Sequence, residues 1–328
     1  MTGELHDEIR RLFHQAHSVL ITSHVRPDGD AVGALLGLGL TLRAAGIPVQ
    51  MTLADGVPPS FRHLPGADQI QRRPEGEFDL RVVLDCSDLL RAGDGLNGFK
   101  PDLNIDHHVT NLNFAAVNFV IPDAVATSAI LAEYLPQWGL PIPEEAAQAL
   151  LTGLVSDTLG FRTSNTTPHA LRLAATLIET GANLSELYNR ALVRRTFEAA
   201  HLWGVGLSHL QRENRIVWTE LSLEDKAALG YNGNDDADLI NMLASIDGSD
   251  AAIIFVEQRD GRVKVSWRTQ PGFDVSLLAL QFGGGGHPAA AGAMISGTLE
   301  EVKKNVLEAT RTLINHRNLT IKNNGAEK

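Results

Sequence analysis

Short aliphatic runs alternate with helix-like stretches from Ser18 to Ile105, and this order restricts the fold more than any other feature of the sequence. Ser18–Thr22, Val49–Leu53, Leu80–Leu84 and Leu103–Ile105 read as strands, and Ala31–Ala45 reads as a helix between the first two. Gly46 and Pro48 stop that helix, because glycine accepts a left-handed cap and proline cannot continue the hydrogen-bond ladder. Strand and helix in alternation predict an α/β domain whose parallel sheet carries helices on both faces. Helical patterns follow over Ala126–Trp138, Glu144–Ser156 and Thr167–Thr180, with Pro168 at the start of the last, where its missing N–H is tolerated.

A further helical stretch from Ser185 to Leu210 reads as a bridge into a second, smaller α/β domain. There Arg215–Glu220 and Ala251–Gln258 read as strands, and Asp260-Gly261 turns a hairpin into Arg262–Thr269. Asp274–Gln281 is a short helix, Gly283–Gly286 a loop, Ala290–Ser296 a strand and Thr298–Asn315 a closing helix, with a polar, frayed tail over Arg317–Lys328. The expected division is a first domain over 1–190, a helical linker over 191–210 and a second domain over 211–328. At 328 residues and 44% hydrophobic content, each domain has material for its own core.

Composition also narrows function. The start lacks the basic and apolar regions of a signal peptide, and no apolar run approaches membrane-spanning length, so a cytoplasmic protein with no membrane partner is expected. Cys86 is the single cysteine, which excludes an internal disulfide and a thiolate zinc cluster. A formal charge of -11 argues against binding long nucleic acids, which depends on many Lys and Arg contacts to phosphates. A short anionic substrate stays compatible, since bound cations would offset part of that charge.

The chemistry sits just past the strands, where an open α/β sheet presents ligands. After Ser18–Thr22 come His24, Asp28 and Asp30, in a segment that Pro27 and Gly29 bend. Taken alone, that segment reads equally well as a helix cap at Asp30 and a turn residue at Asp28. The strand Arg81–Leu84 ends in Asp85, and Leu103–Ile105 ends in Asp106-His107-His108. Asp157 closes the helical run that begins at Glu144. Four of these aspartates with two of the histidines match the oxygen-rich preference of Mn²⁺ or Mg²⁺ more than that of a softer ion. Carboxylates gathered so densely repel one another unless cations compensate them.

In order and spacing, His24-x3-Asp28-x-Asp30, Asp85, Asp106-His107-His108 and Asp157 resemble the four motifs of the DHH phosphoesterase superfamily. The run Phe282-Gly-Gly-Gly-Gly286-His287-Pro-Ala-Ala-Ala-Gly292 resembles the signature of the DHHA1 domain that accompanies one branch of it. The resemblance implies one metal on His24, Asp28 and Asp85 and a second on Asp30, Asp85, His107 and Asp157. Mn²⁺ is the expected ion, with Mg²⁺ or Co²⁺ as alternatives. Such a pair supplies an activated water and stabilises charge on phosphorus without a covalent enzyme intermediate. His108 is then left to face substrate, with Asp106 orienting a histidine.

The same resemblance implies substrate contacts from Ser266 and Arg268, which alternate onto one face of their strand, and from Gly284, Gly285, Gly286 and His287. Free glycine N–H groups would form a phosphate nest, and the guanidinium of Arg268 would hold a terminal phosphate. A plain loop and an ordinary surface arginine are the bland readings of these features. Arg162, five residues after Asp157, is a further candidate contact. If one domain grips a terminal phosphate while the other cuts, the space between them measures substrate length.

Within the superfamily, the length resembles the nanoRNase group, also called bifunctional oligoribonuclease and 3′-phosphoadenosine 5′-phosphate phosphatase. That implies short oligoribonucleotides or nucleotides as substrates. A cyclic- or linear-dinucleotide phosphodiesterase and a catalytically silent nucleotide-binding regulator are the competing readings. A homodimer is common among such folds, but no interface is legible in the sequence.

Overall fold

The computed structural model describes residues 3–325, with side chains described through Ile314. The described residues form two compact units that divide between Arg194 and Arg195. None of their helices is long and apolar enough to cross a membrane.

The first unit runs α1 (Gly3–Gln15), β1 (Val19–Thr22), α2 (Gly29–Ala44), β2 (Val49–Thr52), β3 (Leu80–Leu84), β4 (Leu103–Asp106), β5 (Val117–Val120), α3 (Thr127–Gln137), α4 (Glu144–Asp157), α5 (Pro168–Glu179) and α6 (Leu184–Tyr188). All five strands are parallel, in the order β2-β1-β3-β4-β5. Side chains alternate across the sheet. Val19, Ile21, Val82 and Leu84 pack with the α-helices in the main core, while Leu20 and Val83 meet Ala92 and Leu96 of the 3₁₀ segment Leu89–Leu96 on the other side. Helical segments therefore cover both faces, the α-helices one and a 3₁₀ segment the other. The short edge strand β5 has no clear aliphatic run, since Asn118 interrupts it, and the sequence reading does not contain it.

The closest helix crossing in this unit joins α2 to α4. A Cβ built on Gly33 would lie 2.6 Å from the Ala149 carbonyl oxygen and 2.8 Å from the Gly153 backbone, so only glycine permits this approach. The crossing matters because Asp30 lies in the first turn of α2 and Asp157 at the end of α4. Helices held this close bring two carboxylates from opposite helix ends into one place.

The second unit contains α7 (Phe197–Ser208), β6 (Gln211–Glu213), β7 (Ile216–Leu221), α8 (Leu223–Ala228), α9 (Leu239–Leu243), β8 (Ala251–Glu257), β9 (Arg262–Thr269), α10 (Ser276–Gln281), β10 (Gly285–His287), β11 (Ala290–Ser296) and α11 (Leu299–Gly325). Its six strands are ordered β10-β11-β9-β8-β7-β6, parallel between β7 and β8 and antiparallel elsewhere. The central strand β8 is apolar on both sides. Ala251, Ile253 and Phe255 face α10 and α11, while Ala252, Ile254 and Val256 face α7 and α9.

Three sequence expectations need correction. The stretch 191–210 is not one helical linker: a π-helical turn over Asn189–Val193 ends at Arg194, and Thr196 caps a new helix, α7. Leu202 of α7 is buried among Val217, Leu221 and Leu239, so this helix belongs to the packing of the second unit. The closing helix continues past Asn315 to Gly325, into the tail read as frayed, whose residues 326–328 lie outside the described residues.

The third concerns the glycine run, which is not an open loop. Gly283 takes φ +73° after the cap residue Phe282 and donates its N–H to Leu280, while Gly284 donates to Ala279. These two bonds form a Schellman motif that ends α10. Gly285 and Gly286 then enter β10, paired with Gly292 and Ala291 of β11. Of the glycine amides expected in a phosphate nest, that of Gly284 is thus committed to helix capping.

Replacing Gly33 with Ala is expected to destabilise the protein by about 1–3 kcal/mol, as other overpacked sites do. Urea unfolding followed by far-UV circular dichroism measures this. A wild-type midpoint would mean that α2 and α4 separate without cost.

Candidate metal centre

In a sheet ordered β2-β1-β3-β4-β5 the connections reverse direction between β1 and β3, and the crevice beyond the strand ends opens there. The segments following β1, β3 and β4 supply His24, Asp85, His107 and His108 to this edge, with Asp106 ending β4. The α2–α4 crossing adds Asp30 and Asp157.

Asp85 is the common member. Its backbone adopts φ +52°, a left-handed conformation that few residues other than glycine take and that aspartate tolerates better than most. Its amide still bonds Ile105 at 3.0 Å, so the sheet continues while the chain turns sharply. Buried to 1% exposure, the carboxylate lies 3.5 Å from His24 Nε2 through Oδ2 and 3.6 Å from His107 Nε2 through Oδ1. Thr127 Oγ1 donates to the same Oδ1 at 3.0 Å.

On one side, His24 Nε2 also lies 3.9 Å from Asp28 Oδ2, and His24 Nδ1 is 2.9 Å from the Val25 carbonyl. Asp28 caps α2 by accepting the N–H groups of Asp30 and Ala31 through Oδ1, which leaves Oδ2 toward His24. The cap of this helix is therefore Asp28 and not Asp30, whose carboxylate is directed to α3 instead. On the other side, His107 Nε2 lies 3.6 Å from Asp157 Oδ2, and its Nδ1 is 3.2 Å from the Ala124 carbonyl. Asp30 accepts the first amides of α3, from Thr127 at 2.6 Å and Ser128 at 2.9 Å.

His108 is oriented differently. Its Nδ1 is 2.7 Å from Asp106 Oδ1, which also accepts the His107 amide, and Asn111 Nδ2 donates to Asp106 Oδ2 at 2.5 Å. Asn111 is itself held by Asn104, a buried amide in the middle of β4. Asp106 is thus saturated by donors and fixes the His108 ring through Nδ1.

The charges around this edge are frustrated. Burial and then the charge of Asp85 push Asp30 up to about 7. Burial and the charges of Asp30, Asp28 and Asp85 raise Asp157 well above its ordinary value. Burial opposes the charge of Asp85 as well, but its contact with His24 and the nearby His108 and His107 hold it below its ordinary value. The three imidazoles are raised despite burial, by Asp85 for His24 and His107 and mainly by Asp106 for His108. Protons here compensate charge that cations would otherwise compensate.

Divalent ions fit this donor set. Nitrogen–oxygen separations of 3.5–3.9 Å are too long for hydrogen bonds, yet they are what ligands straddling one ion at about 2.1 Å would show. His24, Asp28 and Asp85 form one group able to hold an ion, and Asp30, Asp85 and His107 form another. All donors are oxygen or imidazole nitrogen, and Cys86 is buried with its thiol pushed up to about 12 by burial.

Arg162 is exposed on the turn after α4, where Leu159, Gly160 and Phe161 successively adopt positive φ. In the second unit, Ser266 and Arg268 share the face of β9 that α9 covers. His287 ends β10. Sequence reasoning missed Thr127, Ser128, Asn104 and Asn111. Thr127-Ser128 at a helix start and Asn104 inside an apolar strand were the available signals.

A parallel α/β sheet whose strand ends converge carboxylates and imidazoles defines a candidate divalent-metal protein. Comparison with known proteins makes the assignment particular. The model of the DHH family N-terminal domain matches residues 18–154, and that of the DHHA1 domain matches residues 225–316. A bifunctional oligoribonuclease and PAP phosphatase, NrnA, from Thermus thermophilus is 36% identical over 301 residues, 89% of each chain. Its Bacillus subtilis counterpart is 30% identical over 295 residues, 88% of this chain and 92% of that one. An exopolyphosphatase-related protein from Bacteroides fragilis superposes with a TM-score of 0.87 over 98% of both chains at 24% identity, which shows a shared fold. The chain belongs to the DHH family and carries a DHHA1 domain.

An ion entering this cluster competes with the proton on Asp30. Since Asp30 is raised to about 7, Mn²⁺ affinity should weaken by about tenfold in total as pH falls from 8 to 6, most of it below pH 7. Isothermal titration in buffers of different ionisation enthalpy reads both affinity and proton release. Binding independent of pH, with no proton release, would contradict the protonation described here.

Proposed function

We propose that this chain is a two-metal phosphoesterase that converts very short oligoribonucleotides to 5′-mononucleotides and removes the 3′-phosphate of 3′-phosphoadenosine 5′-phosphate. The observation that carries this reading is the sharing of Asp85 between the two groups of ligand atoms. His24, Asp28 and Asp85 would hold one ion, and Asp30, Asp85, His107 and Asp157 the other, with Mn²⁺ favoured by the donors. Bound there, the ions would supply an activated water and stabilise charge on phosphorus.

The chain's own residues do the rest. Asp85 would keep the two ion sites adjacent, and Thr127 would hold its Oδ1 in place. His108, fixed through Nδ1 by Asp106, presents Nε2 for a proton transfer to the departing alcohol or a contact to a phosphoryl oxygen. Arg268 and Ser266 would receive a terminal phosphate, and Gly285, Gly286 and His287 would line its approach. Arg162 would make a further contact. The substrates follow from the names of the two relatives and from coverage of most of their length.

The deciding assay incubates metal-stripped protein plus Mn²⁺ with a diribonucleotide, a 24-residue RNA, cyclic di-AMP and 3′-phosphoadenosine 5′-phosphate. Fast conversion of the diribonucleotide to mononucleotides, lost in Asp85→Ala, is expected. His108→Ala should slow turnover by about 10²–10⁴-fold while retaining Mn²⁺ binding. Preference for cyclic di-AMP would make the protein a dinucleotide phosphodiesterase, and metal binding without hydrolysis of any substrate would make it a regulator.

A further inference from the structure

Arg268 lies on β9 opposite Ala252 of β8 and Ala290 of β11, and Ser266, two residues earlier, lies opposite Ile254 and Gly292. The two alanines flanking Arg268 leave room above the sheet for a guanidinium. What holds that guanidinium is informative. Its Nε donates to the amide oxygen of Asn241 on α9 at 3.3 Å, and its Nη1 donates to the Trp267 carbonyl at 3.0 Å. Both acceptors are neutral.

Carboxylates are close enough to have served instead. Asp236 and Asp238 both act electrostatically on Arg268, yet neither forms an ion pair with it among the described residues. Each has other engagements. Asp238 pairs with Arg195 at 2.7 Å, and Arg195 also lies over the Trp203 ring. Asp236 accepts the Ile240 amide at 2.9 Å and faces Lys264 at 3.9 Å. The neutral Asn241 therefore occupies the position from which an aspartate would neutralise the guanidinium.

An arginine needed only for stability is well served by a carboxylate partner, because a charge-assisted pair is stronger than a bond to a neutral amide. An arginine that must bind an anion is better held by neutral acceptors, which orient the fork while leaving its charge uncompensated. We infer that Asn241 is a positioning residue that fixes the Arg268 guanidinium for an anionic ligand, the terminal phosphate of the substrate, and that its neutrality is what the site requires. This inference rests on the proposed phosphoesterase reading and adds a residue to it.

The test measures the 5′-phosphate preference, defined as the ratio of kcat/KM for 5′-phosphorylated diadenylate to that for the same dinucleotide with a 5′-hydroxyl. Arg268→Ala, Asn241→Ala, Asn241→Asp and the double variant Arg268→Ala/Asn241→Asp are compared in the full chain with Mn²⁺, alongside thermal unfolding midpoints. Arg268→Ala should abolish most of the preference. Asn241→Asp should lower it by roughly tenfold and by more than Asn241→Ala, mainly through KM, because aspartate keeps the acceptor but cancels the charge. The double variant should be no worse than Arg268→Ala.

A merely structural Asn241 predicts the reverse order, with aspartate the milder substitution because it preserves the hydrogen bond. Asn241→Asp equal to or milder than Asn241→Ala, with Arg268→Ala still losing the preference, overturns the role of Asn241. A preference unchanged in Arg268→Ala overturns the phosphate-gripping role of Arg268 itself. The unfolding midpoints separate either result from misfolding.

Discussion

One buried carboxylate on a left-handed backbone is where the constraints on the first unit meet. Asp85 leaves β3 at φ +52° while its amide still bonds β4, so its side chain turns across the strand ends. Both of its oxygens are then shared, Oδ2 toward His24 and Oδ1 toward His107 and Thr127. Burying that charge is tolerable only with imidazoles on two sides, and they are raised toward their charged forms in response. Asp30 and Asp157 sit in the same field, and there burial and the neighbouring carboxylates outweigh the relief from His107 and His108, so both are raised. The cluster is poorly balanced as a set of side chains alone and well balanced around cations, which is the physical reason to read it as a metal centre.

Everything around Asp85 follows from bringing the other donors within reach. The strand order places β1 and β3 side by side at the reversal of the sheet. Glycine at position 33 lets α2 and α4 approach at backbone contact, which joins Asp30 to Asp157. The first amides of α3 then bond Asp30, so three helices and three strands fix the donors. Strain and close packing are concentrated in the region that handles charge.

Much of this was legible in the sequence because the relevant signals are local. Aliphatic runs ending in Asp or His announce strands that deliver ligands, and the spacing of His24, Asp28 and Asp30 reflects one turn into one helix. Tertiary partners left fainter marks. Thr127 and Ser128 act through backbone amides, which any residue possesses, and Asn104 was a lone polar residue in a strand too short to interpret. The glycine run misled for a related reason: glycine permits a free nest and a Schellman cap alike, and only the α10 carbonyls of Ala279 and Leu280 decide between them. The helix pattern from Ser185 to Leu210 was similarly blind to the π-helical turn, because hydrophobic spacing persists through it.

The two units resolve opposite electrostatic problems. A chain of net charge -11 proposed to act on an anion needs its acidity neutralised where chemistry occurs and its positive charge preserved where substrate is gripped. In the first unit, carboxylates are crowded until cations become the favourable partners. In the second, Arg268 feels Asp236 and Asp238 but pairs with neither, and Arg195, Lys264 and backbone amides engage them instead. Neutral holders at Arg268 and shared carboxylates at Asp85 are therefore the same principle applied with opposite sign: each site withholds internal compensation so that a ligand can provide it.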